Sequence, residues 1–485
     1  MDTARSAASS ARSMLMPLAL AQFVASYAGT NMNVAVSSIA SDLGTTVIGV
    51  QTAITLFTLT MAALMIPGSK VTDILGRKPC FRIGLAVYGS GAVIAALAPG
   101  VGVLVFGYSL LEGVGSALMI PPIYILATVL THDVPSRARA FGVISAAAGV
   151  GAAAGPLIGG MVTSAISWRA SFVLQALIVL LIVILARRIV DPRPEHRPQF
   201  DVVGAVLSAA GLFFVVLGIL QSSTYGWFTS REDFAIGGVV IIPKGGVSPV
   251  WLFVAVGALI LLWFFLHIRS RERAGREPLL SIHLFRNRAS NLGLVTQNIQ
   301  WLTMQGSFFV VSVFLQTERG YNAIETGLIL TPSTVGILAT SALAGRMAAR
   351  RSQRLLVRAG FAMTVGGTVL LLLLAPSTSN ILAFVPGLLL MGMGIGIMLT
   401  ASVNVVQSAF PESEQGEISG LSRSVSNLGS SLGTAIVGSV LVAATARGSG
   451  PFASALLTMV VIGLIGFVAA LLLPPSPAPT ATASA

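Results

Sequence analysis

The sequence predicts an all-α membrane protein with fourteen spanning helices in a six, two, six arrangement. Three observations lead there: too little polar surface for a water-soluble fold, apolar runs of membrane-crossing length throughout, and cations segregated between alternate loops. Of 485 residues, 54% are hydrophobic and only 9% charged, with a mean hydropathy of +0.87. A soluble chain needs far more polar surface to cover itself. Crossing about 30 Å of hydrocarbon at about 1.5 Å per residue takes about 20 residues.

Runs of that length occupy 14–36, 47–67, 80–99, 102–129, 140–163, 170–186, 202–221, 250–268, 290–316, 326–345, 356–375, 380–408, 418–444 and 453–473. The first follows Arg5 and Arg12 in the manner of a signal peptide, but it continues through Val36 without a convincing cleavage site and is read as an uncleaved helix. A formal charge of +12 would suit a nucleic-acid binder, yet the placement of the cations argues for topology instead. With a cytoplasmic N-terminus, all 29 Lys and Arg residues except Arg169, Arg231, Lys244, Arg319 and Arg447 fall at cytoplasmic helix ends, Arg423 among them. That asymmetry puts both termini inside and leaves no role for nucleic acid.

Cys80 is the single cysteine, which excludes an intramolecular disulfide and a thiolate metal cage. His132, His196, His267 and His283 show no ligand spacing, so no metal site is expected. No G-x-x-x-x-G-K-[ST] stretch is present for a nucleotide phosphate, and no nucleophile, base and metal constellation points to an enzyme.

Two polar linkers set the domain plan. "RRIVDPRPEHRPQFD" (187–201) follows the sixth run and "RSRERAGREPLLSIHLFRNRAS" (269–290) the eighth. The expected units are an N-terminal bundle (1–186), a linker carrying two extra helices and a short helix on the inner surface (187–289), a C-terminal bundle (290–473) and a disordered tail (474–485). The segment 222–249 contains "FAIGGVVII", too short to span and suited to a small hairpin. A repeat supports the two bundles: "SKVTDILGRKPCFRIG" (69–84) aligns without gaps on "GRMAARRSQRLLVRAG" (345–360), although Asp73, Gly76 and Arg77 become Ala349, Ser352 and Gln353 in the second copy.

The same residues resemble the major facilitator superfamily, specifically its fourteen-helix drug:proton antiporter branch. The family's loop between helices two and three has a small residue, then Asp, Gly, Arg and Lys; here it reads "SKVTDILGRK", with Ser69 where Gly is usual. Gly76 permits a tight turn, Arg77 and Lys78 anchor the loop inside, and Asp73 is an anion able to face a helix N-terminus. The resemblance implies that Asp73 is part of a conformational switch holding the two lobes together near Ile418; a topology-fixing basic turn is the plainer alternative. "GVGAAAGPLIGG" (149–160) is similar to the antiporter motif of exporters: Gly151, Gly155 and Gly159 share one helix face, Pro156 bends the helix and Gly160 follows. The resemblance implies a lobe contact sealing the outer side. An ordinary packing groove is the alternative.

Two departures matter. Helix four usually shows Arg-x-x-Gln-Gly, and this chain has "SLLEG", with Ser109 and Glu112 in those places. In helix one, "YAGTNMNVAVSSIA" (27–40) has Ala28 where an acid is usual and Ser37 where a proline is.

Glu112 is the one acid in the middle of a run. An intramembrane carboxylate costs a few kcal/mol to insert and is a functional candidate by default; low polarity favours its protonated form. The proton is therefore the expected coupling ion, with no other cofactor: external H⁺ neutralises Glu112, and its release inside is coupled to outward passage of a substrate. The structural alternative is a protonated Glu112 permanently hydrogen-bonded to Asn31, Asn33 or Ser109. By resemblance, helices one, four, nine and twelve line the substrate cavity, with Asn31, Asn33, Gln297, Gln300, Trp301, Gln305, Met391, Met393 and Asn404 as candidates, an adaptable and largely uncharged set suited to small amphipathic compounds. The expected protein is a monomeric proton-coupled exporter of drugs or natural products in a bacterial plasma membrane. An uncoupled facilitator, a lipid or metabolite exporter, and a non-transporting sensor are the competing readings.

Overall fold

The computed structural model describes residues 2–129, 134–189, 199–236, 239–375, 380–411, 414–446, 448 and 450–474. Fourteen long helices follow one another: α1 (Asp2–Asn31), α2 (Val47–Leu75), α3 (Arg77–Ala96), α4 in three continuous pieces (Val101–Leu104, Val105–Glu112, Gly113–Val129), α5 (Val134–Ala165), α6 (Trp168–Leu185), α7 (Val202–Tyr225), α8 (Pro249–Arg273), α9 (Arg288–Val313), α10 (Ala323–Arg350), α11 (Gln353–Leu374), α12 (Phe384–Gln407), α13 (Gln415–Ala446) and α14 (Pro451–Leu471). Among the described residues, twelve are long and apolar enough to cross a membrane, and α1 and α9 are not among them. Both carry interior polar groups, Gln22 and Thr30 on α1 and Gln297, Gln300 and Gln305 on α9, all buried. Neighbouring helices shield them from lipid, so their own sequences need not be oily all round.

Exposed apolar side chains mark the lipid face. Leu252, Leu259, Leu262, Trp263 and Leu266 on α8, Leu177, Leu180 and Ile184 on α6, and Ile465 and Val468 on α14 are all exposed. In water such a surface would drive association; against hydrocarbon it is the stable arrangement. Between α7 and α8, β1 (Phe234–Ile236) and β2 (Val239–Ile242) pair antiparallel as the expected small hairpin. Part of the first linker (190–198) and residues 475–485 of the expected tail lie outside the described residues.

Local chemistry sets the turns. α2 ends where Gly76 takes φ +93°, a conformation a side chain resists, and its N–H bonds the Thr72 carbonyl at 3.1 Å. Lys78 then donates to the Ile189 and Arg187 carbonyls, a cation at the C-terminal end of α6. α10 starts with a reciprocal capping box between Asn322 and Glu325.

Helices α1–α6 pack on one another, as do α9–α14, and two seams join these groups: α2 with α13, and α5 with α10. α7 and α8 pair together, and α7 leans on both α2 and α13. There Val216 and Leu220 meet Leu59 and Ala435, and Trp227 Nε1 donates to Ser439 Oγ at 3.2 Å. The inserted pair therefore covers the α2–α13 seam from the lipid side. The expected inner-surface helix is a short 3-10 turn, Ile282–Arg286, with Ile282 and Leu284 buried against the protein.

Candidate functional site

A small cavity of about 60 Å³ lies between the two groups of helices. Gln22, Ser26 and Thr30 of α1, Phe57, Thr58 and Met61 of α2, Ile120 of α4, Ala152 of α5, Trp301 and Gln305 of α9, and Arg423, Ser426, Asn427 and Ser430 of α13 line it. It has room for only a few waters and falls well short of the roughly 300–1,000 Å³ of a drug-sized site.

The lobes touch at both ends of this space. On the Arg-rich face Lys70 Nζ pairs with Glu417 Oε1 at 3.1 Å, and Ser69 Oγ donates to the Gly416 carbonyl at 3.4 Å. Glu417 Oε2 also accepts from the Ser281 N–H and hydroxyl at 3.0 and 2.9 Å. One carboxylate thus ties α2, the linker before α9, and α13. On the opposite face the Ser37 N–H donates to Gln316 Oε1 at 3.0 Å and the Ile324 N–H to Ser164 Oγ at 2.9 Å. Toward the far end of the α2–α13 seam, near the start of α2, Gln51 Nε2 donates to the Thr434 carbonyl at 2.7 Å.

The loop that carries the expected switch residues Asp73, Gly76, Arg77 and Lys78 lies beside the start of α13. The direct bond across the lobes is made by Lys70; Asp73 sits half-buried in the field of Lys70, Arg77 and Glu417. The partners Lys70, Glu417 and Ser281 were not among the expected switch residues. Their signal was an acid in the first turn of α13 opposite a cation of the loop.

The glycine motif of α5 splits between two neighbours. Gly151, Gly155 and Gly159 abut α1 of the same lobe; a methyl on Gly159 would lie 2.9 Å from Asn31 Cβ. Pro156 and Gly160 face α10 instead: a methyl on Gly327 would come 2.5 Å from the Pro156 carbonyl oxygen, and Gly160 abuts the Ala323 carbonyl. Packing groove and lobe contact are therefore both present, on different faces of one helix.

Among the expected cavity residues only Trp301 and Gln305 line the space, Gln305 Nε2 also donating to the Gly29 carbonyl at 2.9 Å. The others do other work in this conformation. Gln297 bonds Ser422 and Ser426 at 2.9 and 2.8 Å, tying α9 to α13, and Gln300 accepts from Ser402 of α12 at 2.7 Å. Asn31 packs on α5, and the Asn33 carbonyl accepts from Ser312 and Gln316. Met391, Met393 and Asn404 sit on α12, which contributes nothing to the lining; α2 and α13 take its place because they cross at the seam. Arg423, expected at a cytoplasmic helix end, sits two turns into α13 and reaches the cavity, its guanidinium 5.0 Å from the Tyr124 ring centre and bonded to that hydroxyl.

Glu112 closes a π-helical stretch of α4, Val105–Glu112, a type of irregularity frequent at functional positions. It is 0% exposed and does not line the cavity. Neither carboxyl oxygen makes a well-formed hydrogen bond. The Tyr88 hydroxyl is close enough to interact, but it donates to Gln175 Oε1 at 2.5 Å. The alternative in which Glu112 is tied to Asn31, Asn33 or Ser109 is not realised: Ser109 Oγ donates to the Ala53 carbonyl at 2.7 Å, and the side-chain oxygens of both asparagines lack partners. Asp201, the other buried carboxylate among the described residues, is the contrast. It accepts from the Gly204 N–H, His267 and the Leu279 N–H at 3.0, 2.9 and 3.3 Å, with Arg271 Nε at 3.6 Å. Burial alone would raise its pKa, but the Gly204 N–H, His267 and Arg271 bring it below the usual value. No group of three or more His, Cys, Asp or Glu able to hold a metal occurs among the described residues.

Comparison with known proteins agrees with this architecture. A multidrug resistance protein of Mycobacterium tuberculosis is 27% identical over 85% of this chain and 72% of its own length. The puromycin resistance protein of Streptomyces alboniger is 28% identical over 89% of this chain and 82% of its own. A crystal structure of the human organic anion transporter MFSD10 superposes with a TM-score of 0.59 at 13% identity, covering 95% of this chain and 99% of that one, which shows a shared fold. Residues 18–434, from α1 into α13, match the model of the Major Facilitator Superfamily, and the chain belongs to that family of multi-pass membrane transporters.

Proposed function

We propose that the protein is a proton-coupled exporter of small amphipathic compounds, acting in a bacterial plasma membrane with both termini cytoplasmic. The observation that carries the reading is the central cavity, set between two six-helix lobes that meet along α2–α13 and α5–α10. Rocking about those seams, the lobes open the space to one side at a time, the alternating access of transporters built from two halves. The drug-resistance relatives in actinomycetes support an outward direction. The expected unit is the monomer, with α1–α6 and α9–α14 as the moving parts and α7–α8 as a brace.

Glu112 is the residue proposed to carry the proton. A buried carboxyl without a well-formed hydrogen bond is poorly placed as a structural tie, whereas Asp201 shows what a structural acid looks like here. The driving force is adequate: about 2.3 kcal/mol per charge at 100 mV and about 1.4 per pH unit. The scheme requires rocking to open a water route to α4. Its enclosure in this conformation is also the observation favouring an uncoupled facilitator. Proteoliposomes decide: substrate addition should alkalinise the compartment that protons leave, and Glu112→Gln should abolish that signal while binding persists. A mutant that still couples rejects the assignment.

A further inference from the structure

The central cavity is lined by a fixed positive charge and, among the described residues, by no negative one. Arg423, Ser426, Asn427 and Ser430 follow at i, i+3, i+4 and i+7, so one face of α13 presents a cation and three neutral hydrogen-bonding groups to the space. No Asp or Glu among the described residues lines it. The Arg423 guanidinium bonds the Tyr124 hydroxyl across the lobes and lies over its ring, but it makes no ion pair among the described residues. A guanidinium keeps its proton under all ordinary conditions and presents five N–H donors in a planar fork. One phenol and one ring leave most of those donors free, so the half-buried guanidinium has N–H groups to spare for an anionic ligand.

We infer that the cavity takes an organic anion, an amphipathic molecule bearing a carboxylate or sulfonate, with Arg423 as its counterion. This names the substrate class of the transporter proposed above and rests on that reading for its physiological meaning. The fork of Arg423 receives the anionic group, the Asn427 amide and the Ser430 hydroxyl take its remaining acceptors, and Trp301 and Phe57 face its apolar body. The same charge repels cationic amphipaths, so selectivity arises from repulsion as well as attraction. In the compact conformation Tyr124 occupies the guanidinium; separation of α4 from α13 releases it as the space enlarges.

The test is fluorescence anisotropy with two xanthene dyes of similar size and opposite charge, fluorescein and rhodamine 123, titrated with the purified protein in detergent. Fluorescein should bind more tightly, and Arg423→Gln should weaken it by about ten-fold or more, as expected for a charge-assisted bond lost from an enclosed site, while strengthening or sparing rhodamine 123. Arg423→Lys should fall between, since an ammonium lacks the fork. Tyr124→Phe, which keeps the cation, should preserve the preference and so separates a lost charge from a lost fold. The inference is overturned if fluorescein fails to bind the wild type, if rhodamine 123 binds more tightly, or if Arg423→Gln leaves fluorescein unaffected. Fluorescein transport in proteoliposomes reads out the exporter function separately: binding without transport would defeat that reading and leave the anion site standing.

Discussion

Glu417→Gln tests whether the tie between α2, the linker and α13 holds the Arg-rich face closed. The Lys70 and Glu417 side chains are 12% and 24% exposed, so the pair is better shielded than a surface bridge. At 3.1 Å and an effective dielectric of about 20, the bare attraction is about 5 kcal/mol. Desolvation and side-chain ordering offset most of it, leaving about 1–3 kcal/mol for the pair with its Ser281 hydrogen bonds. The amide keeps one acceptor but loses the charge facing Lys70. A net loss of about 2 kcal/mol shifts the ratio of closed to open conformers about thirty-fold. Electron–electron distance measurement reads this directly, with Cys80→Ala removing the single native thiol and labels at Leu75 and Leu355, both exposed on the Arg-rich face of opposite lobes. The short-distance population should fall in Glu417→Gln and in Lys70→Met, and the double variant should cost less than the sum of the two. Unchanged distributions in all three would refute the assignment of this bridge as a latch.

Two further outcomes follow from the same geometry. Gly327→Ala places a methyl 2.5 Å from the Pro156 carbonyl, so the α5–α10 seam must part at a cost of about 1–3 kcal/mol; labels at Ile166 and Leu382 on the opposite face should move apart, and no movement would show that the seam yields elsewhere. Asp201→Asn removes a buried, multiply bonded carboxylate and should lower the thermal stability read by a thiol-reactive dye at buried Cys80. Because the native pKa of Asp201 lies below its usual value, its contribution is complete above the unfolded pKa of about 3.9 and fades as pH falls through the native one. Wild type and variant should therefore converge in strong acid, and a gap that persists there would contradict the argument.

The sequence by itself determined the class of solvent, the helices, the inserted pair and the turn at Gly76, because each follows from a local requirement. Backbone polar groups in lipid must be satisfied within a helix, about 20 apolar residues are needed to cross, and only glycine tolerates φ +93° without strain. It also exposed Glu112, since one acid in an apolar run stands out without any knowledge of its neighbours. What lines the cavity was decided only by tertiary structure. Gln297, Gln300 and Asn404 look as available as Gln305 in sequence, yet the first two are spent tying α9 to α13 and α12. Arg423 reads as a topology anchor until α13 is laid across α2, and Gly155 and Gly160 read as one motif until α1 and α10 are seen to take different faces. Hydropathy reports how deep a residue sits; which helix face it meets depends on how helices far apart in the chain cross, and that is a property of the packed bundle.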